Sequence, residues 1–444
     1  MGARAPFHPR PAFSGLFATL RATLCATLCA PLFAASPAAS VASGGGEVEV
    51  LHWWTSGSEA KAVLSLKATL RAKGDVWKDF AVAGGGGDSA MTLLKSRVAS
   101  GNAPAAAQIK GAALQDWAGE GALASIDDVA KAGHWDAVLP KAIADQMKYR
   151  GSYVAVPVNV HRVNWLWINP AAFKRAGAHV PTSWDEFFAA AEALRKAGIV
   201  PVAHGGQGWQ DLTLFESVAL GVGGPAFYRQ ALVQLDPAAL AGPTMEQVLR
   251  TFKRIKPYTD KDAPGRDWNL ATAMVIHGEA AMQFMGDWAK GEYLAVGARP
   301  GQDFVCTPVP GTAHSFIYSV DSFAMFRLRS AADTRAQKDL AAAIMAPEFQ
   351  QAFSLDKGSI PVRTDVSMDR FDACAKDSNA DFRAAAKRNT LLPSLAHGMA
   401  VAPGAEAAIR DAISDYWNSE RMTPQDAMQG LVAAARHAAA SAGH

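Results

Sequence analysis

The amino-acid sequence predicts an α/β fold organised in two domains. Short apolar, strand-like runs alternate with helical runs along most of the chain, and this order of elements is typical of sheets covered by helices. At 444 residues the chain is too long for one ordinary hydrophobic core, so two domains are expected. Half of the residues are hydrophobic and 19% are charged, which allows a large buried interior.

The first elements are predicted between Glu47 and Lys110. A strand, EVEVLHWW, precedes a helix, SEAKAVLSLKATLRAKG, that ends at Gly74 because glycine commonly terminates helices. WKDFAVAG is predicted as the second strand, and SAMTLLKSRVASG as a helix that ends at Gly101. AAAQIKG is a short third strand, and Gln108 and Lys110 lie at its exit.

The remaining elements follow the same alternation. The apolar run YVAVPVNVHRVNWLWIN suits a crossing between domains, and TSWDEFFAAAEALRKAG is a helix with Thr182 or Ser183 as its N-cap and Gly198 at its end. Residues 209–296 are predicted to be mostly helical. FIYSVDSFAMF is predicted as a strand, AADTRAQKDLAAAIMAPEFQQAFSLDKG as one helix, and the C-terminal tail as helical.

Residues 1–42 are predicted to be a signal peptide. Arg4 and Arg10 precede a stretch rich in Leu, Ala, Phe and Cys, and small residues lead up to Ala42. Cleavage is expected after Ala42 or after a nearby alanine. No later stretch reaches the ~20 uninterrupted apolar residues that a membrane-spanning helix needs. The mature chain is therefore expected to be soluble and outside the cytoplasm.

Two of the four cysteines remain once this leader is removed. Cys25 and Cys29 lie within it, which leaves Cys306 and Cys374 in a compartment that oxidises thiols. We predict a disulfide between them, and two buried free thiols are the alternative. The bond would close a loop of 68 residues, which is worth about 4 kcal/mol on the chain-entropy model.

Charge and motifs exclude several function classes. The net charge is +2 and no basic run occurs, so no nucleic-acid partner is predicted. HExxH, CxxC, the nucleophile elbow and the dinucleotide fingerprint are all missing from the sequence, so no metal and no cofactor are predicted. The run GGGGDS, which begins at Gly84, lacks the lysine of a P-loop and is interpreted as a flexible turn.

Trp53 and Trp54 form an unusual pair at the exit of the first strand. Neighbouring side chains on a strand point to opposite faces, so both rings are buried only if both faces are covered. Core packing at a sheet edge is one interpretation of the pair. A binding role for at least one ring is the other.

Six segments, in order along the chain, resemble the extracellular solute-binding proteins of bacterial sugar ABC importers. The glucose- and mannose-binding branch of that family is the most similar. The segments are the strand that ends in Trp-Trp, PVNVHRVNWLWIN, TSWDEFFAAAEALRKAGIVPVA, HGEAAMQFMGDW, SVDSFAMF and SLDKGSIPVR.

This resemblance implies a two-lobed periplasmic-binding-protein fold (type II-like), with discontinuous lobes joined by a hinge and a sugar in the cleft between them. We expect residues 43–158 plus 315–360 to form lobe 1, and residues 159–314 plus 361–444 to form lobe 2. The implied function is that of a periplasmic receptor which catalyses nothing and carries a monosaccharide, glucose or mannose, to the permease subunits of the transporter. A monomer is expected.

The resemblance also implies a set of ligand-binding residues. Trp53 or Trp54 would stack on one face of the sugar and Trp268, in a polar loop, on the other, although each of these rings could instead belong to the core. Asp321 interrupts an apolar strand, where an unpaired charge is costly, so a ligand or a buried partner must satisfy it. The remaining candidates, each of which alone could be ordinary surface or core, are Glu59, Lys110, Lys357 and His397, and then, in second rank, Gln108, Asn159, His161, Asp287 and Trp288.

Three alternative functions use the same residue types. A secreted glycoside hydrolase would need two carboxylates on either side of the scissile bond, and Glu59 and Asp321 could supply them. An oligosaccharide-binding protein of the same family would have a wider pocket. A ligand-presenting module of a chemoreceptor would differ only in the surface that its partner contacts.

Overall fold

A computed structural model describes residues 45–442, which form a mixed α/β structure built on two main β-sheets. The signal peptide predicted for residues 1–42 lies outside the described residues. Within residues 45–442 no helix is both long enough and apolar enough to cross a bilayer.

The strands and helices are numbered in chain order. The strands are β1 Glu47–His52, β2 Val76–Ala81, β3 Ala106–Gln108, β4 Lys148–Tyr149, β5 Ser152–Tyr153, β6 Ala155–Arg162, β7 Trp165–Ile168, β8 Val200–Val202, β9 Ala280–Phe284, β10 Val305–Pro308, β11 Phe316–Met325, β12 Ile360–Pro361 and β13 Leu391–Pro393. The helices are α1 Gly57–Ala72, α2 Asp88–Ala99, α3 Ala113–Gly119, α4 Asp127–Ala132, α5 Trp135–Val138, α6 Lys141–Gln146, α7 Pro170–Ala176, α8 Trp184–Lys196, α9 Gly208–Tyr228, α10 Pro237–Leu240, α11 Pro243–Ile255, α12 Trp268–Ile276, α13 Ala289–Ala295, α14 Ala331–Ile344, α15 Pro347–Lys357, α16 Ala373–Arg388, α17 Pro403–Asn418 and α18 Pro424–Ala442.

The larger sheet has seven strands in the order β12-β6-β11-β3-β1-β2, with β13 paired to β11. β1 runs parallel to both β2 and β3, while β11 is antiparallel to β3 and β6. Apolar side chains of this sheet pack with those of α1, α14 and α15 in one hydrophobic cluster, which we call the first core. The three parallel strands all end at the same edge of the sheet, and this edge carries much of the site described below.

The smaller sheet has four strands in the order β10-β7-β9-β8. Its side chains pack with α8, α9, α11 and α17 in a separate cluster, the second core. The apolar run YVAVPVNVHRVNWLWIN, predicted to cross between domains, does pass from one sheet to the other, because β6 belongs to the larger sheet and β7 to the smaller one. The predicted lobe boundaries at residues 158, 315 and 360 stay a prediction.

Capping explains where two helices begin. Ser183, rather than Thr182, is the N-cap of α8, and its hydroxyl accepts a hydrogen bond from the Glu186 N–H at 3.3 Å. Ser56 and Glu59 form the same reciprocal capping box at α1. Such a box satisfies two backbone donors that a helix start leaves free.

Two of the predicted elements were wrong in detail. The single helix predicted after Phe326 is divided into α14 and α15 by Pro347, which has no N–H to donate and disfavours helical geometry at Ala346. The region 209–296 contains the strand β9, which pairs with β7 and β8. A five-residue apolar run such as β9 is ambiguous between strand and buried helix when it is judged by periodicity alone.

A disulfide joins Cys306 on β10 to Cys374 on α16. This bond agrees with the predicted pairing rather than with two free thiols. It attaches a helix from late in the chain to the edge strand of the smaller sheet, across 68 residues of sequence.

Candidate functional site

A cavity of about 160 Å³ lies between the two cores. The parallel strands β1, β2 and β3 each lead into a loop that reaches it, as expected because open α/β sheets bind ligands beyond the carboxyl ends of their strands. On the side of the first core the cavity is lined by Trp53, Trp54, Thr55, Ser56, Glu59, Ala83, Gly84, Gly85, Gly86, Lys110, Asp321 and Lys357. On the side of the second core it is lined by Trp209, Asp267, Trp268, Asn269, Trp288 and His397, and His161 on β6 completes the lining.

The two tryptophans after β1 have different surroundings. The Trp54 ring contacts Phe323 and Phe353, with centroid separations of 5.3 and 5.2 Å, so most of it belongs to the first core. Trp53 is 8% exposed, and the Lys110 ammonium lies 5.5 Å from its ring centroid. Trp53 is therefore the ring of this pair that is better placed to contact a ligand.

Three indoles face the cavity from the second core. Trp268 is the first residue of α12 and only 6% exposed, so the expectation that it lies in a polar loop was wrong, although its neighbours Asp267 and Asn269 also line the cavity. Trp209 and Trp288 have ring centroids 6.4 Å apart. Trp209 was not predicted, because a tryptophan at the start of a helical, apolar region is indistinguishable in sequence from a core residue.

Gly84, Gly85 and Gly86 of the glycine run 84–87 form a wall of the cavity, not merely the flexible turn that the sequence suggests. A Cβ atom added to Gly85 would lie 2.8 Å from Trp209 Cζ2 and 3.1 Å from Trp268 Cδ1. One added to Gly86 would lie 2.9 Å from two atoms of the Trp209 ring. Backbone without side chains thus lets a loop of the first core touch indoles of the second core.

Asp321 is the centre of a buried network of charges. Its Oδ1 lies 2.9 Å from Lys110 Nζ and accepts a hydrogen bond from Gln108 Nε2 at 3.2 Å, while its Oδ2 lies 3.0 Å from His161 Nε2. Burial alone would raise the pKa of Asp321, but Lys110 and His161 hold that pKa well below its usual value. A β-bulge between Asp321 and Ser322 interrupts the pairing of β11 with β6 at this point, a common device for aiming a side chain into a site.

His161 connects carboxylates that come from both sheets. Its Nε2 faces Asp321 on β11 and its Nδ1 bonds Asp287, which follows β9, while the other oxygen of Asp287 accepts from the Arg162 N–H at 3.0 Å. Burial alone would lower the pKa of His161, but Asp287 and then Asp321 raise it. Because a carboxylate oxygen faces each ring nitrogen, both nitrogens are placed to donate, and this arrangement favours the imidazole cation at the point where the chain crosses between the sheets.

Lys357 and Glu59 form a second buried pair in the same cavity. The Lys357 ammonium lies 2.6 Å from Glu59 Oε1, and Glu59 Oε2 also accepts from the N–H of Ser56 at 3.4 Å. The capping box of α1 thus fixes one oxygen of the carboxylate and the lysine fixes the other. Because both partners are buried, each depends on the other for its charge to be tolerated.

The family of this chain follows from a match to a sequence model. Residues 79–324 match the model of the bacterial extracellular solute-binding proteins. The chain belongs to this family. Membership confirms the prediction that the chain is a binding protein and not an enzyme, and it agrees with the family resemblance carried by the six sequence segments.

Two relatives are similar to this solute-binding protein over most of their length. A "Probable sugar-binding periplasmic protein" of Brucella suis biovar 1 (strain 1330) is 49% identical over 87% of this chain and 91% of its own. A protein of the same description from Rhizobium meliloti (strain 1021) is 49% identical over 87% of this chain and 93% of its own.

Solved structures confirm the two-lobed fold of the solute-binding protein. The bacterial solute receptor AcbH, described as preferring β-D-galactopyranose, matches with a TM-score of 0.75 and 20% identity over 90% of this chain and 100% of its own. A chitin oligosaccharide binding protein matches with a TM-score of 0.74 and 20% identity over 89% of this chain and 99% of its own. At these identities the two structures establish the fold and leave the ligand open.

The structure brings together all eight first-rank candidates of the solute-binding protein. They line one cavity, together with His161 and Trp288 from the second rank. Gln108, Asn159 and Asp287 lie behind this lining: Gln108 hydrogen-bonds Asp321, Asp287 hydrogen-bonds His161, and Asn159 Nδ2 lies 3.0 Å from His161 Nε2. That any of them contacts a ligand stays a prediction.

The cationic state of His161 gives a testable dependence of stability on pH. The pKa of His161 is raised on folding, so above about pH 6.5 the folded chain binds more protons than the unfolded chain. The stability that the protonated His161 contributes is therefore lost as pH rises through the pKa of His161 in the folded state. The difference in unfolding free energy between the wild type and His161→Gln, measured by urea unfolding, should shrink as pH rises above about 6.5.

His52→Gln is the matched control, because burial lowers the pKa of His52 despite its contact with Asp79. The stabilising contribution of His52 is present above its unfolded pKa and is lost as pH falls, so its difference from the wild type should grow with rising pH. Equal slopes for the two variants would contradict the assignment of a cation at His161.

Proposed function

We propose that this chain is the periplasmic sugar receptor of a bacterial ABC importer, and that the cavity holds one hexose, glucose or mannose. The observation that carries the proposal is the combination of indoles from both cores with charged groups around a cavity of about 160 Å³. The relatives described as probable sugar-binding periplasmic proteins support the same class of ligand.

The indoles suit the faces of a pyranose ring. A pyranose exposes C–H bonds on its faces and hydroxyls around its edge, so flat aromatic rings bury the faces with little loss of side-chain entropy. Trp53 from the first core and Trp268 from the second lie on different sides of the cavity. We assign these two rings to opposite faces of the sugar.

The charged groups suit the hydroxyls. Hydroxyls donate and accept, and hydrogen bonds to ionised groups are about twice as strong as neutral ones. Asp321 and Glu59 would accept from the sugar, and Lys110 and Lys357 would donate to it. Because each carboxylate already has a lysine partner, the groups are held in place before the ligand arrives and less order has to be created on binding.

The size of the cavity favours one ring over an oligosaccharide. An apolar cavity of about 150 Å³ in another protein holds one benzene ring, and the value here is about 160 Å³. Pockets for larger, drug-sized ligands are about 300 Å³ or more. A disaccharide would need the glycine run 84–87 and the facing indoles to separate.

The cavity chemistry argues against Asp321 as the general acid of the glycosidase alternative. Glycoside hydrolysis needs a carboxylic acid that stays protonated until it reaches the leaving group. Asp321 has a pKa well below its usual value because Lys110 and His161 outweigh its burial, so it cannot act as that acid near neutral pH.

Closure of the two lobes would report that sugar is bound. The glycine run contacts the Trp209 and Trp268 rings only while the two cores lie together. A sugar held between them stabilises this arrangement over an open one, and a permease that contacts both lobes recognises it.

A panel of sugars tests the ligand class. Glucose should produce a saturable change in tryptophan fluorescence with micromolar or tighter affinity, because the cavity is lined by indoles, with mannose next and disaccharides weaker. Calorimetry on the same protein should give matching affinities. No saturable binding of any aldohexose or short oligosaccharide would end the sugar proposal, and release of product from aryl glycosides would favour the enzyme.

The stacking role of Trp268 gives a second prediction. Trp268→Ala should weaken hexose binding by more than about tenfold, since loss of a stacked ring removes over 1.4 kcal/mol. Trp117→Ala is the matched control, because Trp117 is 8% exposed against 6% for Trp268 but packs on Phe326 away from the cavity. Equal hexose affinities of the two folded variants would show that Trp268 has only a structural role in the second core.

Gly85→Ala tests closure. The added methyl would lie 2.8 Å from Trp209, so it should weaken binding and suppress the ligand-induced decrease in radius of gyration measured by X-ray scattering. Gly119→Ala is the control, since its Cβ would meet only the Tyr149 hydroxyl oxygen at 3.7 Å. An unchanged affinity and radius for Gly85→Ala would show that the glycine run does not control closure.

A further inference from the structure

His397 has one bonded and one free ring nitrogen. The residue lines the cavity and is 8% exposed. Its Nδ1 lies 2.9 Å from the Ser394 hydroxyl oxygen. Its Nε2 is buried and has no hydrogen-bond partner among residues 45–442. The nitrogen left for a ligand is therefore Nε2, and its hydrogen-bonding role depends on where the single proton of a neutral imidazole lies.

Ser394 connects His397 to a buried carboxyl group. The Ser394 hydroxyl lies 2.7 Å from Glu216 Oε1, and both residues are fully buried. Glu216 Oε2 accepts instead from the N–H groups of Leu395 and Ala396, and it lies 2.7 Å from the Tyr228 hydroxyl, which also lies 2.9 Å from the Pro393 carbonyl oxygen. Because Oε2 already faces two backbone donors and Oε1 faces only the Ser394 hydroxyl, we place a proton of Glu216 on Oε1.

A serine hydroxyl has one proton, so it donates in one direction at a time. An ionised Glu216 only accepts, so Ser394 donates to it and must accept from Nδ1–H of His397, which leaves Nε2 as a bare acceptor. A protonated Glu216 donates to Ser394, so the serine donates to Nδ1 and the proton of His397 lies on Nε2, which becomes a donor. With the proton of Glu216 on Oε1, these are the two states in which every hydrogen bond of the chain Glu216–Ser394–His397 is made.

We propose that Glu216 is a positioning residue that acts through Ser394 to set whether His397 offers the ligand an acceptor or a donor. Proton balance is simple: one proton from solvent binds Nε2, the Nδ1 proton passes to Ser394, and the Ser394 proton passes to Glu216. The assignment of the ligand as a sugar rests on the proposed function, whereas the relay itself does not.

The surroundings place this change near neutral pH. Burial raises the pKa of Glu216 to about 7, although Ser394, Tyr228 and two backbone N–H groups oppose the rise. Burial and the nearby Lys110 and His161 hold the pKa of His397 well below its usual value, with Asp321 acting in the opposite direction. The imidazole therefore stays neutral while Glu216 titrates. Glu406 on α17 also interacts electrostatically with Glu216.

The relay can be read directly in the ligand-free protein. Two-bond ¹H–¹⁵N couplings of ¹⁵N-histidine-labelled protein distinguish a protonated ring nitrogen from a bare one, and His397→Gln assigns the signal. We expect Nδ1 protonated at about pH 8.5 and Nε2 protonated at about pH 5.5 in the wild type. Glu216→Gln, whose amide donates as the protonated acid does, should show the Nε2 tautomer at both pH values.

Glu406→Gln is the matched control. Burial also raises the pKa of Glu406 to about 7, but the carboxyl group that is hydrogen-bonded to Ser394 is that of Glu216. It should keep the wild-type change of tautomer. If Glu216→Gln does not fold, Ser394→Ala replaces it and should abolish the change. One tautomer in the wild type at both pH values, an imidazolium at the lower pH, or a shift in Glu406→Gln equal to that in Glu216→Gln would overturn the proposal. A failed sugar titration would end the proposed function and leave this result unaffected.

Discussion

The arrangement of the site depends on the cost of burying the Asp321 carboxylate. A charge removed from water is tolerated only when opposite charges and hydrogen bonds replace the lost hydration. Lys110 comes from the exit of β3, His161 from β6, and Asp287, which completes the pairing of His161, from the end of β9. Satisfying one charge on β11 thus brings strands of both sheets to a single point, and the cavity forms around it.

Aromatic rings and a stretch of bare backbone then give the cavity its shape. Indoles from both cores form its sides, and the glycine run 84–87 fits against two of them because it has no Cβ atoms. The charged side chains around Asp321 line part of the cavity, while the contacts between the glycine run and the indoles limit the width of the cavity. Under the proposed function, polar groups would determine where the ligand is held, and packing would determine how large it can be.

The sequence predicts those features whose cause is local. The alternation of elements gave the fold class, and Asp321 could be identified because a charge inside an apolar strand needs a partner. The sequence could not predict contacts between distant segments, which join residues more than 100 positions apart. Examples are the approach of Gly85 to Trp209, the bond from Asp287 to His161 and the burial of Glu216 against Ser394. Pro347 is different, because its effect on the helix is local and could have been predicted from the sequence.

The balance of charges in the cavity restricts the solute further. Three lining cations, Lys110, His161 and Lys357, accompany three lining carboxylates, Glu59, Asp267 and Asp321. An ionic solute would disturb this balance in a buried place, where an unpaired charge costs several kcal/mol. His397 adds none, because its surroundings keep it neutral. A neutral solute with many hydroxyls can accept from the cations and donate to the carboxylates while leaving every existing pair intact, and among small metabolites this is the chemistry of a sugar.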